Sequence, residues 1–182
     1  FVELDLSSYL KPEGTTVYCW DGTSWSPLGD RKFSYGQPGY LSMVTDAQGT
    51  PHIAYNDVSR DEKAIVRKWN GTTWEFLGSQ LGVSENRADN TSLAIGSGNA
   101  LTLAYGDYDT DSTKVLQWDG SQWLPLGATG AGDAYGQQMT SGQDGTLYVV
   151  QQRNSNDAPF VITWQDGIPV TLTAYNNYGD TV

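Results

Sequence analysis

The chain has 182 residues, a formal net charge of −11 and a pI of about 4.2. Its ten Lys and Arg residues are scattered, which argues against nucleic acid as a partner, because nucleic acid is bound mainly by neutralising phosphates. No apolar run approaches the roughly 20 residues that span a bilayer, so we expect no membrane insertion. Seven Trp, eleven Tyr and 21 Gly, with few helix-like patterns, predict an all-β fold of short strands and tight turns.

The first thirty residues supply three predicted strands, one at 1–7 and two within 17–28. The last two flank the sequence WDGTSW at 20–25, which Leu28 and Gly29 follow. The single cysteine, Cys19, lies in one of these strands, where we expect a buried and unreactive thiol. Because the chain begins within a strand and without Met, we expect a processed product or part of a longer chain.

The WDGTSW sequence recurs with a period of 49 residues. It returns as WNGTTW at 69–74 and as WDGSQW at 118–123, and Leu-Gly follows both copies. A fourth copy begins at Trp164 but carries one inserted residue and lacks the second Trp. All seven Trp residues therefore occupy repeat positions, which indicates a repeat architecture.

Each repeat unit is predicted to contain four antiparallel strands, with Asn-Gly or Asp-Gly turns between the third and the fourth. The predicted strands are 40–46, 50–57, 63–69 and 73–78 in the second unit, 91–96, 100–106, 114–119 and 122–127 in the third, and 137–142, 146–152, 159–164 and 168–174 in the fourth. Four strands in every 50 or so residues are typical of β-propeller blades.

We therefore predict one β-propeller domain over 1–182, with about four blades. Its predicted parts are a partial blade at 1–30, blades at 31–80, 81–129 and 130–177, and a tail at 178–182. The tail is a candidate to close a four-bladed ring. The alternatives are part of a larger propeller, or a half-propeller that self-associates with another chain, since uncovered sheet edges favour association.

The repeat resembles those of a known group of proteins. A strand that ends in Ala-Tyr-x-Asp, as at Asp57 and Asp107, leads into a Val-rich strand and then into the two-Trp sequence with its Leu-Gly. This pattern is similar to the repeats of bacterial secreted and surface β-propellers, which belong broadly to the Kelch and galactose-oxidase/sialidase-like class. The resemblance implies an extracellular or cell-surface protein. It implies no single function, because propellers host binding, scaffolding and catalysis alike.

Successive connections between antiparallel strands emerge alternately on the two faces of the propeller. This alternation predicts tight turns on one face and long loops on the other. The predicted long loops are 31–39, 58–62, 79–89, 107–113, 129–136 and 153–158. Long loops on a rigid scaffold commonly carry binding sites, so we expect any site on this long-loop face.

Aromatic and polar residues near these loops are the candidates for ligand binding. An aromatic ring can stack on the apolar side of a sugar while Asn, Asp or Arg bonds its hydroxyls. The candidates are Tyr35, Tyr40, Asp57, Arg60, Arg87, Tyr108, Tyr135, Arg153 and Asn154. The Trp pairs are assigned to packing between blades instead, because they repeat at fixed strand positions.

One loop carries a candidate metal site. Asp107, Asp109 and Asp111 place carboxylates on alternate residues, a spacing that allows a loop to surround calcium with oxygen ligands. The loop lacks the Gly and the distal Glu of a full EF-hand. The alternative interpretation is an acidic turn capped by hydrogen bonds from its own backbone.

The predicted function is non-enzymatic binding of a protein partner through the long-loop face. The alternative is a lectin-like carbohydrate-binding module, with or without calcium. The only His, His52, lies in a predicted strand, so the residues show no metal-binding His cluster and a single candidate base for a serine nucleophile. A glycosidase that uses a pair of carboxylates remains as the enzymatic alternative.

Overall fold

The computed structural model describes residues 14–132, 134–153, 159–165 and 168–172. In this part of the chain fourteen strands form four antiparallel sheets, one two-stranded and three four-stranded. Blade 1 contains β1 (Tyr18–Trp20) and β2 (Trp25–Pro27). Blade 2 contains β3 (Pro38–Thr45), β4 (Pro51–Asp57), β5 (Lys63–Trp69) and β6 (Trp74–Phe76). Blade 3 contains β7 (Ala88–Ile95), β8 (Leu101–Asp107), β9 (Ser112–Trp118) and β10 (Trp123–Gly132). Blade 4 contains β11 (Ala134–Ser141), β12 (Leu147–Arg153), β13 (Pro159–Gln165) and β14 (Ile168–Leu172).

The predicted all-β propeller fold is confirmed, and each complete sheet is an antiparallel meander in chain order. The first strands of the blades, β3, β7 and β11, lie side by side along the inner edge. The predicted limits of the blades stay predictions. The predicted strand at 1–7 and the predicted closing tail at 178–182 lie outside the described residues.

One predicted loop is wrong, because strand runs through most of 129–136. β10 continues to Gly132 and still pairs with β9 after register shifts on both sides of Ala128. Such bulges let a strand bend while it keeps its partner.

The blades pack face to face through aliphatic side chains. The buried cluster between blades 2 and 3 includes Ala54, Val66, Leu77, Ala88, Leu93 and Leu103. Its fully buried members come from β4, β5, β7 and β8 and from Leu77 after β6, and partly buried side chains such as Val44 of β3 and Leu116 of β9 pack against them. The junction is therefore held by apolar side chains from both sheets.

An indole N–H crosses each described junction between blades. Trp74 donates to the carbonyl of Leu28 at 2.9 Å, and Trp123 donates to that of Leu77 at 2.9 Å. In blade 4, which lacks the second Trp, Trp164 donates to the Leu126 carbonyl at 2.8 Å instead. The assignment of the Trp residues to blade-to-blade packing therefore agrees with these contacts, and the degraded repeat keeps the bond with a different Trp.

The Gly that follows each acceptor leucine has a steric role. Gly78 has a φ of 91°, and a Cβ there would lie 3.0 Å from Cδ1 of Trp123. Gly29 has a φ of 80°, and a Cβ there would lie 2.5 Å from Cζ3 of Trp69. Glycine adopts positive φ freely and gives the neighbouring indole room. The Leu-Gly pair thus supplies both an acceptor and a gap for the tryptophan.

The prediction of a buried Cys19 is wrong. Cys19 is a free, exposed thiol in β1, and Tyr18, Trp20 and Trp25 beside it are exposed as well. The described part of blade 1 is a two-stranded sheet with no blade before it, so side chains that other blades bury are left open here. No helix in the described residues is long and apolar enough to cross a membrane.

The contact between Gly78 and Trp123 predicts a difference between two alanine substitutions. Gly71 also has a positive φ, 98°, but a Cβ there would meet nothing within 4 Å. Both Gly78→Ala and Gly71→Ala strain the backbone, while only the first overpacks the junction. We expect Gly78→Ala to lower the free energy of unfolding by about 1–3 kcal/mol more than Gly71→Ala does, measured by urea denaturation. Equal losses would contradict the role assigned to the indole contact.

Candidate functional site

The first two loops between blades are each held to a sheet by a buried serine. Ser84 Oγ accepts a hydrogen bond from the Ala64 N–H at 2.9 Å and donates to the Asn86 carbonyl at 2.7 Å. In the preceding loop Ser34 Oγ accepts from the Thr15 N–H at 2.8 Å in the same way. The side chains that follow these serines are therefore displayed from fixed backbone.

The predicted site residue Asp57 has a structural role in the turn after β4. It is 1% exposed, and its Oδ1 accepts hydrogen bonds from both the backbone N–H and the hydroxyl of Ser59. Its other oxygen accepts a longer bond from the Gly36 N–H at 3.4 Å. Asp57 joins the turn to the loop before it, which is a different task from the predicted contact with a ligand.

The three carboxylates of the predicted metal site are not brought together. Asp107 is 2% exposed, and its oxygens accept from the Thr110 N–H at 3.1 Å and from Asn86 Nδ2 at 3.2 Å. Asp109 and Asp111 are exposed on the turn. Among the described residues no three His, Cys, Asp or Glu side chains form a group that could hold a metal ion. The geometry matches the alternative interpretation, an acidic turn capped by its own backbone.

Four of the predicted residues meet in two Arg–Tyr pairs on the long-loop face. The guanidinium carbon of Arg87 lies 4.3 Å from the ring centroid of Tyr108, and that of Arg60 lies 4.7 Å from that of Tyr35. The rings are 60% and 56% exposed. Each pair joins a loop between blades to a turn of the following blade. Such cation–π contacts hold the rings in place at the surface.

Arg87 is also surrounded by carboxylates. Its Nε contacts Oε2 of Glu62 and lies 3.5 Å from Oδ1 of Asp89. Burial by itself would lower the pKa of Arg87, but Asp89 and Glu62 outweigh this and raise the pKa above its ordinary value. The guanidinium is therefore a fixed positive charge between blades 2 and 3.

The other predicted residues lie elsewhere. Tyr40 is exposed on β3 at the inner edge, with a φ of 51°, and its carbonyl accepts a hydrogen bond from Thr91. The backbones of Tyr135 and Arg153 lie in β11 and β12, and the structure does not describe their side chains. Asn154 lies outside the described residues.

A crevice of about 310 Å³ opens between the loop before blade 3, at Val83 and Glu85, and strands β8, β9 and β10 of that blade. Glu85 at its rim is exposed, Lys114 and Trp123 are partly buried, and Tyr105 and Asp107 at its base are buried. We call this space the junction crevice. It combines aromatic surface with both signs of charge.

Tyr105, at the buried base of the junction crevice, keeps its hydroxyl protonated. Burial raises the pKa of Tyr105 to about 12, and the negative charge of Asp107 adds to this, while a backbone hydrogen bond at Glu85 opposes it. The indole N–H of Trp123 is already used in its bond to Leu77. A ligand would therefore meet the ring of Trp123 and the polar ends of Glu85 and Lys114, whereas Tyr105 is only 3% exposed.

The equivalent space in blade 2 is filled. Arg67 pairs with Phe76 in the sheet as Leu116 pairs with Pro125 in blade 3, so the two pairs occupy the same repeat positions. The guanidinium carbon of Arg67 lies 3.8 Å from the centroid of the Phe76 ring, and Arg67 donates to Tyr55 Oη at 3.1 Å. Leu116 and Pro125 are shorter, and the space stays open in blade 3.

The sequence analysis missed Glu85, Lys114 and Tyr105, and it assigned Trp123 to packing alone. A signal for them exists in the differences between repeats. Lys114 pairs with Tyr105 where Ile65 pairs with Tyr55 in blade 2, so a charged side chain replaces an apolar one at the same position. Polar residues confined to one copy of a repeat are poor candidates for shared core packing.

Comparison with known proteins supports the fold. Neither a protein-family model nor a curated protein matches the sequence. The SapL1 lectin in complex with alpha methyl fucoside superposes with a TM-score of 0.61 at 17% identity, covering 86% of this chain and 54% of that one. A triple arginine-to-alanine variant of AofleA from Arthrobotrys oligospora gives a TM-score of 0.63 at 11% identity, covering 86% and 48%. A fucose lectin from Kordia zhangzhouensis in complex with methyl-fucoside gives a TM-score of 0.49 at 16% identity, covering 77% and 99%.

SapL1 and AofleA are similar to the chain in fold, and the chain spans about half the length of each of them. The likeness agrees with a propeller class. It does not extend to membership of the Kelch or sialidase families that the repeat resembles.

Burial of two tyrosines predicts a loss of stability at alkaline pH. Burial raises the pKa of Tyr55 to about 12, although Arg67 opposes the shift, and Tyr105 has the same value. Below the ordinary pKa of 10.0 both the folded and the unfolded chain keep these protons. Between about pH 10 and 12 only the unfolded chain loses them, so the free energy of unfolding falls by up to about 1.4 kcal/mol per pH unit for each residue.

The contribution of Tyr105 is measured by comparing urea denaturation of the wild type and of Tyr105→Phe across this pH range. The phenylalanine variant has no proton to lose at this position, so its stability should fall less steeply. An unchanged slope would contradict the assignment of Tyr105 as a buried, protonated group.

Proposed function

We propose that this protein is a non-enzymatic, lectin-like carbohydrate-binding module and that a sugar binds in the junction crevice. The observation that carries the proposal is the combination of Trp123 with Glu85 and Lys114 around one crevice, with Tyr105 at its buried base. A sugar ring has apolar C–H faces and several hydroxyl groups, so it needs an aromatic surface and a few placed donors and acceptors.

The size of the crevice favours a small sugar. About 310 Å³ lies at the lower end of the roughly 300–1,000 Å³ range of small-molecule pockets and suits one or two sugar units. Glu85 can accept from sugar hydroxyls and Lys114 can donate to them. Hydrogen bonds that involve a charged group are stronger than neutral ones and add specificity.

The likeness to SapL1 suggests the first sugar to test. That lectin was solved with alpha methyl fucoside, and the fold of the present chain superposes on it. A methyl fucoside is also small enough for the crevice.

The order of the two binding hypotheses is therefore reversed relative to the sequence analysis. A protein partner was the first choice there, and a narrow polar crevice with an aromatic wall favours its carbohydrate alternative. Binding outside the cell or at its surface fits a lectin and remains part of the proposal. The sugar site uses no metal, because Asp107 is committed to the turn and to Asn86.

The hydrogen bonds that Asp107 makes within its turn also argue against a glycosidase. Glu85 and Asp107 line one crevice, so they are the carboxylate pair that such an enzyme would use. Asp107 accepts hydrogen bonds from Asn86, Asp109 and Thr110, which hold its side chain within the turn. It is poorly placed to exchange protons with a substrate, and we propose binding without turnover.

Two substitutions test the sugar site by calorimetric titration with methyl α-fucoside and a panel of other methyl glycosides. Glu85→Gln removes the charge but keeps the shape, and we expect the affinity for the bound sugar to fall by about ten-fold or more. Leu116→Arg introduces the side chain that fills this space in blade 2, and we expect it to abolish binding.

The matched control is Glu75→Gln on exposed β6, outside the crevice, which should bind as the wild type does. Circular dichroism confirms that each variant is folded. Sugar binding that survives Leu116→Arg would move the site elsewhere, and no binding to any glycoside would overturn the proposed function.

A further inference from the structure

The indole N–H of Trp25, in the first described blade, is an unused donor of the kind that joins one blade to the blade before it. Trp74 and Trp25 hold the same repeat position, but Trp74 is 6% exposed and Trp25 is 66% exposed. Trp74 donates to a leucine carbonyl of the blade before it, and the described residues contain no blade before Trp25. The ring of Trp20 beside it is also half exposed.

The carbonyl of Leu172, in the last described strand, holds the position of an acceptor for such a bond. In blade 2 the acceptor Leu77 lies opposite Val66, and in blade 4 Leu172 lies opposite Val161. In blades 2 and 4 the pairing of the first strand with the second shifts in register, and the second-strand residue next to this shift is Ala54 in blade 2 and Val150 in blade 4. Val66 pairs with Ala54 and Val161 pairs with Val150, so Val66 and Val161 hold equivalent positions. Leu172 thus holds the acceptor position of the repeat.

The surroundings of Leu172 match an uncovered junction. Leu77 is 8% exposed under blade 3, whereas Leu172 is 42% exposed. Val150, on the same sheet, is also 42% exposed, whereas Ala54 at the equivalent position is fully buried. The last described sheet therefore presents the face that every earlier sheet buries against its successor.

We propose that a second copy of this chain packs head to tail on these ends, with Trp25 of each copy at Leu172 of the other. The interface would continue the junction that the chain already forms three times within itself. Two such junctions close a ring of two chains, because each copy offers one donor end and one acceptor end.

Closure by a second copy would remove exposed sheet surface that otherwise invites uncontrolled association. It would also bury Trp20 and Trp25, the kind of large aromatic side chains that dominate the energetics of interfaces. The proposal does not rest on the sugar site, so failure of sugar binding leaves it unchanged.

The test is the molar mass of the full 182-residue chain, measured by sedimentation equilibrium over a range of concentrations. We expect a species of twice the 19.9 kDa chain mass. Trp25→Ala should weaken the dimer by about 30-fold or more, as expected for a central aromatic anchor. Trp25→Phe keeps the ring but removes the N–H donor, and it should weaken the dimer less.

The matched control is Leu81→Ala, which changes an exposed apolar residue of the loop between blades 2 and 3, at 62% exposure, and should leave the mass unchanged. Circular dichroism of Trp25→Ala checks that the variant is folded. A chain that stays monomeric at all concentrations would overturn the proposal. A dimer that is unaffected by Trp25→Ala would overturn it too, and so would an open series of larger species.

Discussion

The hydrogen bond from an indole N–H to a leucine carbonyl of the preceding blade is the contact on which the rest of the structure depends. It occurs at each described junction, and the glycines after Leu28 and Leu77 leave space for tryptophan rings of the next blade. A single four-stranded sheet cannot bury both of its faces, so each blade is stable only against a neighbour. The bond fixes where that neighbour sits. Blade 4 supports this view, because Trp164 makes the bond in place of the missing second tryptophan.

The fixed junction allows the loops and the outer strands to vary without loss of the fold. The serine in each of the first two interblade loops holds the backbone at the same place in blades 1 and 2, while the residues after it differ. At one junction Arg67 fills the space between loop and sheet, and at the next the shorter Leu116 leaves it open. A binding site thus arises here from a packing position that one copy of the repeat has left unfilled.

Much of the fold could be predicted from the sequence because the tryptophans and the turn glycines recur at a constant spacing. The strands of blades 2 to 4 follow from that spacing within a few residues. The continued strand at β10 was missed because Ala, Thr and Gly resemble a loop in composition. The site was predicted less well. Whether Asp107 faces a ligand or its own turn, and whether Arg67 fills a crevice, depends on contacts across a junction, and residue types alone do not show these.

The central claim is that a sugar binds in the junction crevice, and the indole signals of the seven tryptophans test it most directly. Each Trp gives one Nε1–H resonance in a ¹⁵N–¹H spectrum, and single Trp→Phe variants assign them. On titration with methyl α-fucoside, or with the best ligand of the glycoside panel, the account predicts that the Trp123 resonance moves while that of Trp74, whose crevice is filled, stays in place. A shift confined to Trp20 and Trp25, or an unchanged Trp123 under saturating sugar, would contradict it.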